Sequence, residues 1–150
     1  MIRVRPAREE DMHGVLEIEL ESISPPWTHG GLLREIYRND SFFALATERV
    51  AVLGFVILRR MADEGELFQI AVRAAQRRRG VADLLMEAAL GWAYGCGVTE
   101  IYLEARASNE AARALYKKHG FKQTGHRKEY YTDPVEDAVI MSASNTAPNS

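Results

Sequence analysis

Cysteine is nearly absent from this 150-residue chain, with Cys96 its single example. A lone cysteine excludes an internal disulfide framework and fits a reducing compartment, so the cytoplasm is the expected location. Long hydrophobic runs are missing as well. The longest, Val50 to Leu58, has the length of a buried strand and falls short of a bilayer span, so no membrane partner is expected. The start, Met1-Ile2-Arg3-Val4-Arg5, lacks the hydrophobic core of a secretion signal. There is no excess of one charge: 19 basic side chains face 21 acidic ones, for a net charge of -2. Broad coating of nucleic acid needs a strongly basic surface, so no direct nucleic-acid partner is expected. His13, His29, His119 and His126 are scattered without metal-ligand spacing, and no metal is implied. No repeat, low-complexity segment or linker divides the chain. The expected organisation is one domain over 1–143, followed by a small, polar, disordered tail over 144–150.

What is present is the composition of a globular protein, 47% apolar and 27% charged. Ile2 to Arg5 alternates like a strand, and Glu9 to Ser22 reads as a helix. Pro25-Pro26 closes that region, and Thr28 can cap a second helix running to about Arg38. Ser41 to Thr47 and Val50 to Arg60 read as a hairpin, and Leu67 to Val72 as the next strand. Val81, Leu84, Leu85, Ala88, Ala89 and Trp92 recur with the spacing of one buried helical face. That helix closes at Gly95-Cys96-Gly97, where glycine is a natural C-terminal cap. Val98 to Ala105 is a strand, and Asn109 caps a helix bearing Ala112, Leu115, Tyr116 and His119 on one face. Phe121 to Tyr131 and Ala138 to Ala143 form a last hairpin. These elements predict an α/β sheet covered on both faces, mostly antiparallel, with one right-handed parallel crossover through the long helix.

Charge is unevenly distributed along this order. Glu9, Glu10, Asp11, Glu17, Glu19 and Glu21 make the first helix acidic. First-turn carboxylates complement the helix dipole and the rest are expected to sit in water. Arg73, Arg77, Arg78 and Arg79 make the central turn basic. In Gln76-Arg77-Arg78-Arg79-Gly80-Val81-Ala82, Gly80 lets backbone approach a ligand closely, because it has no Cβ. The first free N–H groups of the following helix point at the same place, where the dipole favours an anion. The turn therefore reads either as a phosphate cradle or as a solvated basic face.

The segment Leu103 to Phe121 decides between them. Arg77, Gly80 and Ala82 match an R/Q-x-x-G-x-G/A turn. Downstream, Asn109, Ala112, Leu115, Tyr116, Gly120 and Phe121 match an Asn-initiated helix with an Ala-x-x-Leu-Tyr core and a Gly-Phe ending. In this order the two motifs resemble the GNAT superfamily of acetyltransferases, which move an acetyl group from acetyl-CoA to amines. The resemblance covers nearly the whole chain. It implies a mixed, mostly antiparallel sheet of about seven strands and about four helices, with the central strands splayed. Three further stretches are similar to the bacterial ribosomal-protein-alanine N-acetyltransferases: Leu103 to Asn109, Arg127 to Tyr131 with Glu136 to Met141, and Pro26-Trp27. The chain departs from the usual pattern at Arg73-Ala74, at Ala75 and at Asp83, whose carboxylate opposes a pyrophosphate unless it turns away.

Acyl transfer from a thioester to an amine requires a proton acceptor, a polarised carbonyl and a protonated leaving group. On its strand Glu104 interrupts an apolar run. It reads equally as a buried base with a raised pKa or as a strand-end carboxylate paired with Arg106 or another arginine. The resemblance, in which this glutamate is the base, selects the first reading. Tyr116 is either a packed core tyrosine or, as the resemblance implies, the acid facing the CoA sulfur. The resemblance further implies that Ile70, Ala71 and Val72 offer backbone groups to pantetheine. Arg77, Arg78, Arg79, Gly80, Val81, Ala82 and Asp83 then wrap the pyrophosphate, chiefly through N–H groups. Asn109 touches the cofactor near its sulfur, and Trp27, Tyr130 and Tyr131 line a peptide groove. The expected activity is direct acetylation of a protein N-terminal amine, with a ribosomal-protein N-terminal segment as partner. The rivals are a small-molecule amine acetyltransferase and a non-catalytic acetyl-CoA-binding module.

Overall fold

The computed structural model describes residues 1–145 and builds one seven-stranded sheet. In chain order the elements are β1 (Ile2–Pro6), α1 (Met12–Ser22), α2 (His29–Ile36), β2 (Ser41–Glu48), β3 (Ala51–Met61) and β4 (Glu64–Val72). Then come α3 (Val81–Gly95), β5 (Glu100–Arg106), α4 (Glu110–Lys118), β6 (Lys122–Tyr131) and β7 (Glu136–Ser144). The strand order is β1-β2-β3-β4-β5-β7-β6. Only β4 and β5 run parallel, and α3 is the crossover between them.

Both faces of the sheet are covered, so its strands alternate between two cores rather than between core and water. On β3, Phe55 and Ile57 face Met12, Val15, Ile18 and Leu32 of α1 and α2. Val56 and Leu58 face Leu85, Met86, Ala89 and Ala93 of α3. The buried stripe of α3 is rotated from the expected one. Leu84 is 37% exposed, while Met86 and Ala93 are buried.

Several expected boundaries shift for local reasons. The first helix starts at Met12 because Asp11 holds the preceding turn. Its carboxylate accepts from the Arg8 N–H at 2.8 Å and from both Arg5 guanidinium nitrogens at 2.8 Å. Thr28 caps α2 by accepting from the Gly31 N–H at 3.0 Å. β4 begins at Glu64, earlier than the apolar run suggests, because a tight turn pairs it at once with Met61. Ser144 belongs to β7, opposite Glu100. The remainder of the expected tail, 146–150, lies outside the described residues.

The acidic first helix does not simply sit in water. Glu17 pairs with Arg73 at 2.9 Å, and Glu21 accepts from the Ala74 N–H at 2.6 Å. Glu19 is fully buried. On α2, Glu35 is also buried and is gripped through both oxygens by Arg59. Burial works against the Glu35 charge, but the Arg59 hydrogen bonds win and hold its carboxyl below the ordinary value. A depressed folded value means stability that is present above the unfolded value and lost as pH falls through the folded one. Arg59→Met is expected to cost about 3–5 kcal/mol in urea unfolding at neutral pH, because it strands a buried carboxylate. The deficit relative to wild type should shrink in acid, where Glu35 is protonated in both proteins.

Candidate active site

The site exists because β4 and β5 part company. They pair only at Glu64–Glu100, Gly65–Ile101 and Glu66–Tyr102. Beyond that, β4 stays with β3 as far as Gly54–Val72, while β5 stays with β7 as far as Arg106–Ala138. Two local features steer β4 away. Phe68 is the extra residue of a bulge, since Ile57 pairs with Gln69 and Leu58 with Leu67. A bulge bends and twists its strand. Gly54 then lets β4 pass closely: a Cβ there would stand 2.6 Å from the Ala71 carbonyl oxygen. The wedge holds a cavity of about 970 Å³.

Ile70, Ala71 and Val72 line one wall of this cavity, as expected. Their β5-facing edge forms no ladder, which leaves room for an extended ligand such as a pantetheine arm, although the Val72 carbonyl accepts from Arg77 Nε at 3.4 Å. At the end of β4 the chain makes a 3-10 turn, Ala74–Gln76, and reaches Gly80 in the left-handed region at φ 78°. Gly80 caps α3, whose first N–H groups have no partner within the helix. Gly80, Val81, Ala82 and Asp83 line the cavity together with Arg77 and Arg78. The fold thus presents a helix N-terminus and two guanidinium groups at the mouth, a suitable seat for phosphates.

Two members of the expected cradle turn elsewhere. Arg79 makes a two-pronged contact with Glu48, at 3.1 and 2.8 Å, and does not line the cavity. The Asp83 carboxylate turns to the end of α4, where Lys118 Nζ donates at 3.0 Å and His119 Nε2 lies at 2.8 Å. Hydrogen bonds from His119 and Lys118 hold it below the ordinary carboxyl value. The conflict between Asp83 and a bound phosphate is therefore relieved by two side chains at the end of the neighbouring helix. Asn109 caps α4, accepting from the Ala112 N–H at 3.1 Å, and also lines the cavity.

Glu104 of β5 and Tyr116 of α4 both line the same cavity. Glu104 is not the buried, unpaired group of the first sequence reading. Its side chain is 25% exposed and lies 3.8 Å from Arg127, and its charge helps to push the nearby Tyr130 phenol upward. The edge of the wedge leaves it reachable, and Arg127 takes the place foreseen for Arg106. Tyr116 is buried, with its ring edge-on to Phe121 at 6.0 Å. Burial, assisted by Tyr131, pushes its phenol up to about 12. Tyr131 is likewise pushed up to about 12, by burial and by the nearby Glu104.

Trp27, Tyr130 and Tyr131 also line the cavity. Trp27 meets Phe68 edge to face at 6.1 Å, and Tyr130 meets Tyr131 at 5.1 Å. The sequence offers Arg106 only as a partner for Glu104 and does not single out Glu66. Arg106 ties together the loops on either side, donating to the carbonyls of Ser24 and Pro134 at 2.9 Å and lying 4.4 Å over the Tyr131 ring. Ser24 Oγ also donates to the Asp133 carbonyl at 2.9 Å. Glu66 lines the cavity near Glu104, and burial followed by that neighbouring charge pushes its carboxyl upward. No pattern marks Glu66, because it looks like part of an exposed turn. Arg106 could have been found as a strand-end arginine beside a motif.

A sheet split at its one parallel pair, with a helix N-terminus at the mouth and a carboxylate and phenol inside, defines an acyltransferase architecture. Residues 12–121 match the acetyltransferase (GNAT) family, and the chain belongs to it. Members of that family use acetyl-CoA as acyl donor. The chain is 36% identical over 137 residues to the ribosomal protein bS18-alanine N-acetyltransferase of Escherichia coli K12, covering 88% of this chain and 90% of that protein. It is 35% identical over 140 residues to the enzyme of the same name from Haemophilus ducreyi, covering 89% and 94%. Among solved structures, the ribosomal-protein-S18-alanine N-acetyltransferase from Escherichia coli superposes with a TM-score of 0.89 at 30% identity, covering 99% of this chain and 97% of that one.

Proposed function

We propose that this acetyltransferase acetylates the N-terminal α-amine of a protein, with the N-terminal alanine of ribosomal protein bS18 as its substrate. The observation that carries the reading is the open wedge, lined by Glu104 and Tyr116 and by the aromatic side chains of Trp27, Tyr130 and Tyr131. The names of relatives aligned over most of their length support the choice of substrate.

Acetyl-CoA fits the donor arm of the cavity: backbone edges at Ile70, Ala71 and Val72 take the pantetheine, and the α3 N-terminus with Arg77 and Arg78 takes the phosphates. When bound, it supplies an activated acetyl group as a thioester. The peptide enters between Trp27 and the two tyrosines. An α-ammonium of pKa roughly 8 loses its proton readily near neutrality, so a weak acceptor suffices. Glu104 takes that proton, directly or through one water, and Arg127, 3.8 Å away, orients its carboxylate.

Tyr116 works on the leaving sulfur. A phenol at about 12 stays protonated throughout the working range. Handing its proton fully to a thiolate of ordinary pKa, roughly 8.5, would be uphill by about 5 kcal/mol. Tyr116 therefore acts first as a neutral O–H donor that stabilises charge developing on sulfur, and the amine's own proton balances the reaction. Aligning the amine with the thioester supplies a further large share of the rate.

Glu104→Gln is expected to lower kcat by about 10²–10⁴-fold. Tyr116→Phe should lower it by about 10²–10³-fold. Both should leave acetyl-CoA affinity by calorimetry nearly unchanged; normal rates in both variants would remove the assignment. The rate profile should show no alkaline loss from Tyr116 until pH approaches about 12. Arg78→Ala is expected to weaken acetyl-CoA by about tenfold, as loss of a charge-assisted contact does. Arg79→Ala, whose guanidinium already serves Glu48, should alter affinity much less. Incubation with acetyl-CoA and a panel of alanine-start peptides, polyamines and amino acids tests the substrate. Turnover confined to the small amines would reject the peptide reading.

A further inference from the structure

Glu19 lies in the acidic first helix and is 0% exposed. Its Oε2 accepts from the Trp27 N–H at 2.9 Å and from Gln69 Nε2 at 3.1 Å. Its Oε1 is buried without a partner, and so is Gln69 Oε1. Two acceptor oxygens in one small cluster thus lack a donor. An ionised carboxylate cannot supply one, because it only accepts. It would also be a buried charge without a counter-ion, which is costly. One proton on the carboxyl answers both problems: the acid O–H turns to the amide oxygen while the amide N–H already serves the acid.

We infer that Glu19 is a neutral carboxylic acid that donates to Gln69 and latches the 23–27 loop to β4, as a positioning residue for the peptide groove. The inference rests on the reading of Trp27 as a wall of that groove. The cluster joins three elements that border the cavity. Glu19 comes from α1, Trp27 ends the loop between α1 and α2, and Gln69 follows the Phe68 bulge. Ile23 and Ser24 of the loop line the cavity beside Gln69. The latch therefore sets the spacing between the Trp27 side and the strand that carries the acyl donor.

The charges on surrounding elements are engaged elsewhere. On α1, Glu17 serves Arg73 and Glu21 serves the Ala74 N–H. Glu35 of α2 and Arg59 of β3 hold each other, and Asp11 before α1 holds Arg5. Glu66 of β4 lies toward Glu104, and His13 of α1 is exposed beside Glu17. Burial pushes the Glu19 carboxyl upward, more than the two hydrogen bonds to its charged form pull it down.

The test uses the full-length enzyme labelled with carboxyl-13C glutamate. The Glu19 resonance is the one missing from Glu19→Gln, and at pH 7 it should keep the chemical shift of a neutral acid. Glutamine at 19 reproduces the neutral form, with one donor and one acceptor, so Glu19→Gln should hold the peptide KM within about twofold. Glu19→Ala leaves Gln69 and the Trp27 N–H unpaired and should raise the peptide KM about tenfold, with the KM for acetyl-CoA unchanged. A carboxylate shift at pH 7 overturns the inference, as does damage from Glu19→Gln equal to that from Glu19→Ala. Trp27→Ala separates the two layers. An unchanged peptide KM in that variant brings down the groove assignment, whereas a raised one beside a normal Glu19→Ala brings down the latch. Should Glu19→Ala fail to fold, the resonance and Glu19→Gln still decide.

Discussion

A β-ladder that stops after three pairs governs this molecule. Backbone N–H and C=O groups need partners, and a strand interior normally finds them on both sides. Beyond Glu66, β4 finds a neighbouring strand on the β3 side only. Because β5 is held along its whole length by β7, it cannot follow β4 to repair the loss. The open edges are stable only as the walls of a binding cleft. The Phe68 bulge and the glycine at 54 are the local means by which β4 is sent its own way.

The opening organises the charges around it. Arginine is abundant near the site, yet most of it is committed to holding the frame. Arg59 neutralises Glu35 under the sheet, Arg79 reaches back to Glu48, and Arg73 ties α1 to the end of β4. Arg77 and Arg78 are the guanidinium groups of the central turn that line the cleft. The same economy explains Asp83. A carboxylate beside a phosphate seat is unfavourable, and Lys118 with His119 turns it away while binding α3 to α4. That contact lies within one turn of Tyr116, so the two helices that line the cleft are fastened to each other there.

The cleft is bordered by loops as well as strands, and loops need fasteners if they are to hold a fixed position. Arg106 fastens the loop after α1 to the loop after β6 through three different groups. Glu19 fastens the first of these loops to β4 from beneath. Neither residue reaches the reacting atoms. Both determine where Trp27 and Tyr131 stand relative to Glu104, and small misplacements of an amine against a thioester are costly in rate.

Periodicity and turn chemistry alone were enough to place the strands, the helices, the caps at Thr28 and Asn109, and the Gly80 turn, because these depend on near neighbours in the chain. The paired motifs around Gly80 and Tyr116 pointed to the acyl donor only through the family they resemble, because the turn by itself reads equally as a solvated basic face. What the chain could not announce was which charges would be buried. Glu19 and Glu17 stand two positions apart on one acidic helix, yet one is sealed beneath the sheet and the other meets an arginine in solvent. Likewise, Glu104 was expected to be sealed and is reachable, while Arg79 was expected in the cradle and is bound elsewhere. Burial and pairing are set by what the opposite strand, the next helix or a distant loop brings to the same point, and that proximity arises only when the sheet closes.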